Sequence, residues 1–85
     1  MKIHQQSETS FVFHCPGCKC AHGFNSTWTW NNDFDKPTVS PSLLSIGEKK
    51  CHLFIRDGKL QFLSDCEHEL KNQTIDIPNW ENENI

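Results

Sequence analysis

Hydrophobic and polar positions alternate along most of this chain, and loops break the rhythm. In Thr9 to His14, Phe11 and Phe13 fall on one side and Val12 and His14 on the other, the signature of a half-buried strand. From His22 to Trp30 the even positions read His, Phe, Ser, Trp, Trp and the odd ones Gly, Asn, Thr, Thr, which predicts a second strand with an aromatic face. Asn31-Asn32-Asp33 and Lys36-Pro37 mark a loop. Thr38 to Ile46 is extended again, but Pro41 cannot donate to a ladder, so this strand belongs at an edge or carries a bulge.

Cys51 to Asp65 is the clearest hairpin. Asp57-Gly58 is a two-residue type I′ turn signal between apolar runs, and it pairs Arg56 with Lys59, Ile55 with Leu60, Leu53 with Phe62 and Cys51 with Ser64. One face then carries Cys51, Leu53, Ile55, Leu60 and Phe62, with Cys66 one step on; His52, Phe54 and Arg56 point the other way. Ser64 or Asp65 caps a short helical turn through Glu69, which places Cys66 at a helix N-terminus. Met1 to Gln6 gives a short edge strand and Thr74 to Ile77 a final one; residues 81–85 read as a frayed tail. Residues 1–85 form one domain.

Composition changes the picture in one respect. A chain of 85 residues with 35% hydrophobic content buries a marginal core, so a staple is expected. Five cysteines is an odd number, and the N-terminus shows no apolar signal-peptide segment, which favours a reducing, cytoplasmic setting and metal over disulfides. A net charge of -3 with one adjacent basic pair, Lys49-Lys50, argues against gripping nucleic acid, and no run is long enough to span a membrane.

The candidate chemistry is metal binding. Cys15-Pro16-Gly17-Cys18 is a C-x-x-C knuckle that aims two thiolates at one point, and Zn²⁺ there needs two more donors. The leading set is Cys15, Cys18, Cys51 and Cys66; His68 replacing Cys51 follows, and a set with His52 comes third. A thioredoxin-like dithiol would open a helix, whereas this knuckle leads into a strand. Cys20 stays outside the site. His22, His52 and His68, with Asp65 and His14 nearby, are read as ordinary histidines or, alternatively, as the lining of a pocket with Trp28. The sequence shows no H-E-x-x-H, Ser-His-Asp or glycine-rich phosphate-loop motif by spacing. Trp28 and Trp30 are a candidate binding surface, though most aromatics in so small a domain are core.

Taken in order, Cys15-Pro16-Gly17-Cys18, His22, Trp28, Trp30, the run from Lys36 to Leu44, Cys51-His52, Arg56-Asp57-Gly58, Asp65-Cys66-Glu67-His68 and the run from Gln73 to Pro78 resemble a family of small phage and prophage proteins often labelled "ammonia monooxygenase". The resemblance implies a phage-encoded, zinc-binding-looking protein of the bacterial cytoplasm, not the chemistry of that label. The expectation is a mostly β, zinc-ribbon-like domain of hairpins around one structural zinc, with one short helical turn. Its function is read as a non-enzymatic module that binds a host or phage protein or a small ligand. The alternative is a metal-dependent hydrolase or nucleotide-processing enzyme built on His22, His52 and His68; a virion-associated factor is a third option.

Overall fold

A computed structural model describes residues 1–80 and shows two antiparallel sheets with no helix among them. The first sheet holds β1 (His4–Gln5), β2 (Ser10–Cys15) and β3 (Cys20–Asn25), in that order. The second holds β4 (Thr29–Trp30), β5 (Val39–Ile46), β6 (Lys50–Arg56), β7 (Lys59–Phe62) and β8 (Thr74–Asp76), again in sequence order. The mostly β expectation holds, and the two sheets meet where the β2–β3 knuckle approaches the start of β6.

The alternation fixes which side chains go inside. Phe11, Phe13 and Cys15 of β2 are buried, as are Cys51, Leu53 and Ile55 of β6 and Leu60 and Phe62 of β7. Between the sheets they form one core with Ile3, Phe24, Val39, Leu43, Cys66 and Ile77. The β6–β7 register near the turn is the one the turn dictates, with Leu53 opposite Phe62, Ile55 opposite Leu60 and Arg56 opposite Lys59, but the expected Cys51–Ser64 pair does not form because β7 ends at Phe62. Asp57 (φ 51°) and Gly58 (φ 78°) both adopt the left-handed backbone that a type I′ turn demands.

Two local expectations change. The strand expected from His22 to Trp30 is two strands in different sheets. Asn25 breaks it: its side-chain Oδ1 accepts from the Thr27 N–H at 2.9 Å and its carbonyl from the Trp28 N–H at 3.0 Å, turning the chain before β4. The helical turn after the hairpin is absent; tight turns instead close through Cys66 N–H to Leu63 O (3.2 Å) and Lys71 N–H to His68 O (3.2 Å). Cys66 therefore has no helix dipole behind it. The proposed tail, residues 81–85, lies outside the described residues.

Pro41 acts as expected of a strand proline. Val39 sits opposite Ile55 and Leu43 opposite Leu53, so β5 gains extra residues over that stretch and bulges. The Ser40–Pro41 peptide bond is cis and lies within the bulge. A bulge re-aims the side chains that follow it, and the next residue is Ser42. No helix among the described residues is long and apolar enough to cross a membrane.

Candidate active site and metal centre

β6 carries two different sites on its two faces, because neighbours in a strand point in opposite directions. Cys51 faces inward, into a group formed by Cys15, Cys18 and His22, whose donor atoms all lie within 4.8 Å of one another. Cys15 and Cys18 come from the knuckle after β2, and His22 from β3 as it runs back. Cys15 Sγ lies 3.9 Å from Cys51 Sγ, close to the ~3.8 Å edge of a tetrahedron with metal–sulfur bonds of about 2.3 Å. His22 Nε2 is buried without a hydrogen-bond partner. A buried imidazole nitrogen without a partner, on a histidine grouped with three thiols, suits a metal donor. The residues present therefore fit a four-donor metal site.

The sulfurs alone cannot all ionise. The hydrogen bond from Cys51 holds the Cys15 thiol well below its ordinary range, and that contact together with burial pushes Cys51 well above it. Burial, then the charge on Cys15, raises Cys18 to about 11. One thiolate excludes the next in this crowded space unless a cation neutralises them.

Cys66 and His68, both named from sequence as candidate donors, sit one layer out. With Cys51 they form a second compact group, but each is already engaged. Cys66 Sγ donates to the His52 carbonyl at 3.0 Å and accepts the His52 N–H at 3.2 Å. His68 Nδ1 accepts the Leu70 N–H at 3.2 Å, which leaves the proton of a neutral ring on Nε2, 3.4 Å from Cys51 Sγ. That Nε2–H donates to the Cys51 sulfur and is not a free lone pair for a metal. Gly17 of the knuckle packs on the His68 ring so closely that a Cβ there would clash with its Cε1. Cys20 is exposed and outside the group.

On the opposite face of β6, His52 meets two residues that sequence spacing does not connect. Its Nδ1 lies 3.2 and 3.1 Å from the two oxygens of Asp65, and its Nε2 lies 3.0 Å from Ser42 Oγ. A carboxylate only accepts, so Nδ1 carries the proton and Nε2 offers its lone pair to the Ser42 hydroxyl. Serine, histidine and aspartate are thus joined in the order that activates a serine nucleophile. The hydrogen bond to His52, with help from the charge of Lys50, holds the Asp65 carboxyl below the usual carboxylate range; Lys50 Nζ lies 3.7 Å away.

The model of the BubE family, described as "Bacterial ubiquitination-like system serine protease (BubE)", matches residues 1–63 of the 85. The chain belongs to the BubE family. No curated protein and no solved structure matches it. This membership overturns the resemblance to phage proteins labelled "ammonia monooxygenase" and, with it, the reading as a non-enzymatic binding module. The BubE description names a serine protease, so the metal-dependent hydrolase on His22, His52 and His68 also falls. Those three histidines do not converge: His22 joins the cysteines, His68 supports Cys51, and His52 faces out to Ser42.

The match ends two residues before Asp65. Sequence reasoning passed over the triad because its members lie 10 and 13 residues apart in order Ser, His, Asp, with no local signature. The one available hint was Pro41, whose bulge marks a special position beside Ser42. Trp30, expected on a binding surface, instead packs against Phe11, Phe24 and Phe34 at centroid distances of 4.9–5.4 Å. Trp28 is half-buried at the turn before β4.

Proposed function

We propose that this chain hydrolyses a peptide-type bond in a polypeptide of a bacterial ubiquitination-like system, with Ser42 as nucleophile. The observation that carries this reading is the Ser42–His52–Asp65 chain of hydrogen bonds on the outer face of the second sheet. As Ser42 Oγ attacks the carbonyl carbon, its proton passes to His52 Nε2 and the new oxygen–carbon bond forms. The carbon–nitrogen bond then breaks, and His52 returns that proton to the leaving amine. Water, activated by the same nitrogen, releases the acyl group and restores the serine. Asp65 keeps the proton on Nδ1 and stabilises the imidazolium without taking the proton itself.

Zinc is the ion proposed for Cys15, Cys18, His22 and Cys51. A Cys₃His set around a closed centre suits a structural zinc, which supplies folding energy and leaves no open position for substrate. His22 replaces Cys66 in this set because it groups with the three sulfurs and its Nε2 has no hydrogen-bond partner, whereas Cys66 Sγ is held by the His52 main chain. The test is active-site labelling: a small fluorophosphonate should modify Ser42 in the wild-type chain and nothing in Ser42→Ala. Equal labelling of both, or none of either with the chain folded, refutes the triad.

A further inference from the structure

We infer that the substrate enters as an extended strand that pairs with the open edge of β5, next to Ser42. The inference rests on the triad reading and adds the shape of the substrate to it. β4 covers β5 only at Val39 and Ser40. Beyond them, from Ser42 to Ile46, no strand among the described residues lies on the side away from β6.

The direction of the main-chain groups along that edge follows from β6. The His52 carbonyl accepts from Leu63 N–H at 2.9 Å and its N–H goes to Cys66 Sγ, so both groups point away from β5. The Lys50 carbonyl likewise accepts from Glu67 N–H at 2.8 Å, and its N–H donates to the Glu67 side chain. Leu44 is opposite His52 and Ile46 opposite Lys50. In an antiparallel pair whose one member turns its groups outward, the other does the same. Leu44 and Ile46 therefore present N–H and C=O to the vacant edge, beginning two residues from the nucleophile.

Their side chains tell the same story. Leu44 and Ile46 are 54% and 76% exposed, and with Met1 they are the exposed large hydrophobics among the described residues. A bare apolar edge is a liability that proteins cover or blunt unless it is used. Beside it runs a groove of about 270 Å³ between Ala21–Gly23 of β3 and Leu43–Ser45 of β5, lined also by Trp28. It shares Ala21, His22 and Ser45 with a second hollow that continues past Gly47 to Lys49. A peptide lying there gains main-chain hydrogen bonds from Leu44 and Ile46 and apolar contact from their side chains. This is recognition by strand addition, with alternate substrate residues read by side chain. The substrate is accordingly an unstructured segment or tail with apolar residues near the scissile bond, not the face of a folded domain.

The test compares three probes on the full chain. One is a small fluorophosphonate, the second a single-residue diphenyl phosphonate, and the third a series of tetrapeptide diphenyl phosphonates with apolar side chains, each backbone amide N-methylated in turn. Strand pairing predicts that the unmethylated peptide labels Ser42 much faster than a single-residue phosphonate. Methylation at every second amide should then cost roughly tenfold or more, with little loss in between. Leu44→Pro, which removes an N–H that faces the edge and not β6, should bring the peptide's advantage over the single-residue probe close to one, provided the melting transition is retained. A flat methylation scan, or no advantage for the peptide, overturns the strand while leaving the triad standing. Failure of the small probe to label Ser42 overturns the triad and the strand with it.

Discussion

Cys51 and His52 are neighbours in sequence and opposites in environment. Cys51 is almost wholly buried, among sulfurs and one imidazole that want a cation. The His52 side chain is 27% exposed, and Asp65 beside it 44%. The inward site is built to be closed and the outward one to be reached. Because the same strand carries both, the inward site fixes the position of the outward one. Cys51 precedes His52, the base of the proposed triad, and Cys66, which grips the His52 main chain, follows Asp65, its third member. The roles proposed for the two faces imply that folding and catalysis can be broken separately in one direction only: losing the proposed zinc would lose both, and losing the proposed triad would lose activity alone.

The largest effect should come from the inward face. Cys15→Ser or Cys51→Ser should abolish stoichiometric zinc, measured by elemental analysis, and the cooperative thermal transition together. Structural zinc contributes on the order of 10–16 kcal/mol of apparent binding energy in zinc-finger peptides, against roughly 4–13 kcal/mol for the whole stability of a domain this size. A strong chelator should do the same to the wild type. A chelated chain with an unchanged melt would end the claim that the inward site governs the outward one.

Ser42→Ala comes next and sharpens the contrast. Hydrolysis should fall by about 10⁴–10⁶-fold while the melting transition and zinc content stay as in the wild type. Asp65→Asn should reduce turnover by roughly 10³–10⁴-fold through loss of the correct His52 tautomer, again with zinc retained. Cys66→Ala separates the two candidate ligand sets. It should leave zinc at its wild-type level but destabilise by about 1–3 kcal/mol, since the His52 N–H loses its partner; loss of zinc would return Cys66 to the metal.

The smallest effect lies far from both sites. Asp76 accepts from Lys59 Nζ at 2.8 Å, and that contact holds its carboxyl below the ordinary range. A lowered carboxyl stabilises the fold above the ordinary carboxylate pKa, and the contribution disappears as pH falls through the folded value. Both partners are exposed, so the effect should be slight and erased by salt. Melting of Asp76→Asn beside the wild type at neutral and acid pH, with and without salt, reads it.

How much of this was legible without coordinates follows the range of the forces involved. The Asp57-Gly58 turn and the apolar alternation around it specify register by local sterics, and the pairs nearest the turn came out as expected, from Arg56–Lys59 to Leu53–Phe62. The C-x-x-C knuckle announces a metal because its geometry is local, and Cys51 belongs with it because the hairpin face carries it there. His22 was harder. Its period-two pattern showed an aromatic face but not that the chain turns at Asn25, which ends β3 and lets β4 join the other sheet.

Sequence by itself determined a β domain too small for its core and the knuckle and hairpin that a metal could join. Tertiary structure alone decided that Ser42, His52 and Asp65 share a hydrogen-bonded line, and that His22 completes the cysteine group. The reason is physical: strand faces and tight turns are set by a few adjacent residues, whereas a triad spread over a bulge, a strand and a turn exists only once β5 and β6 have paired and the turn after β7 has folded back.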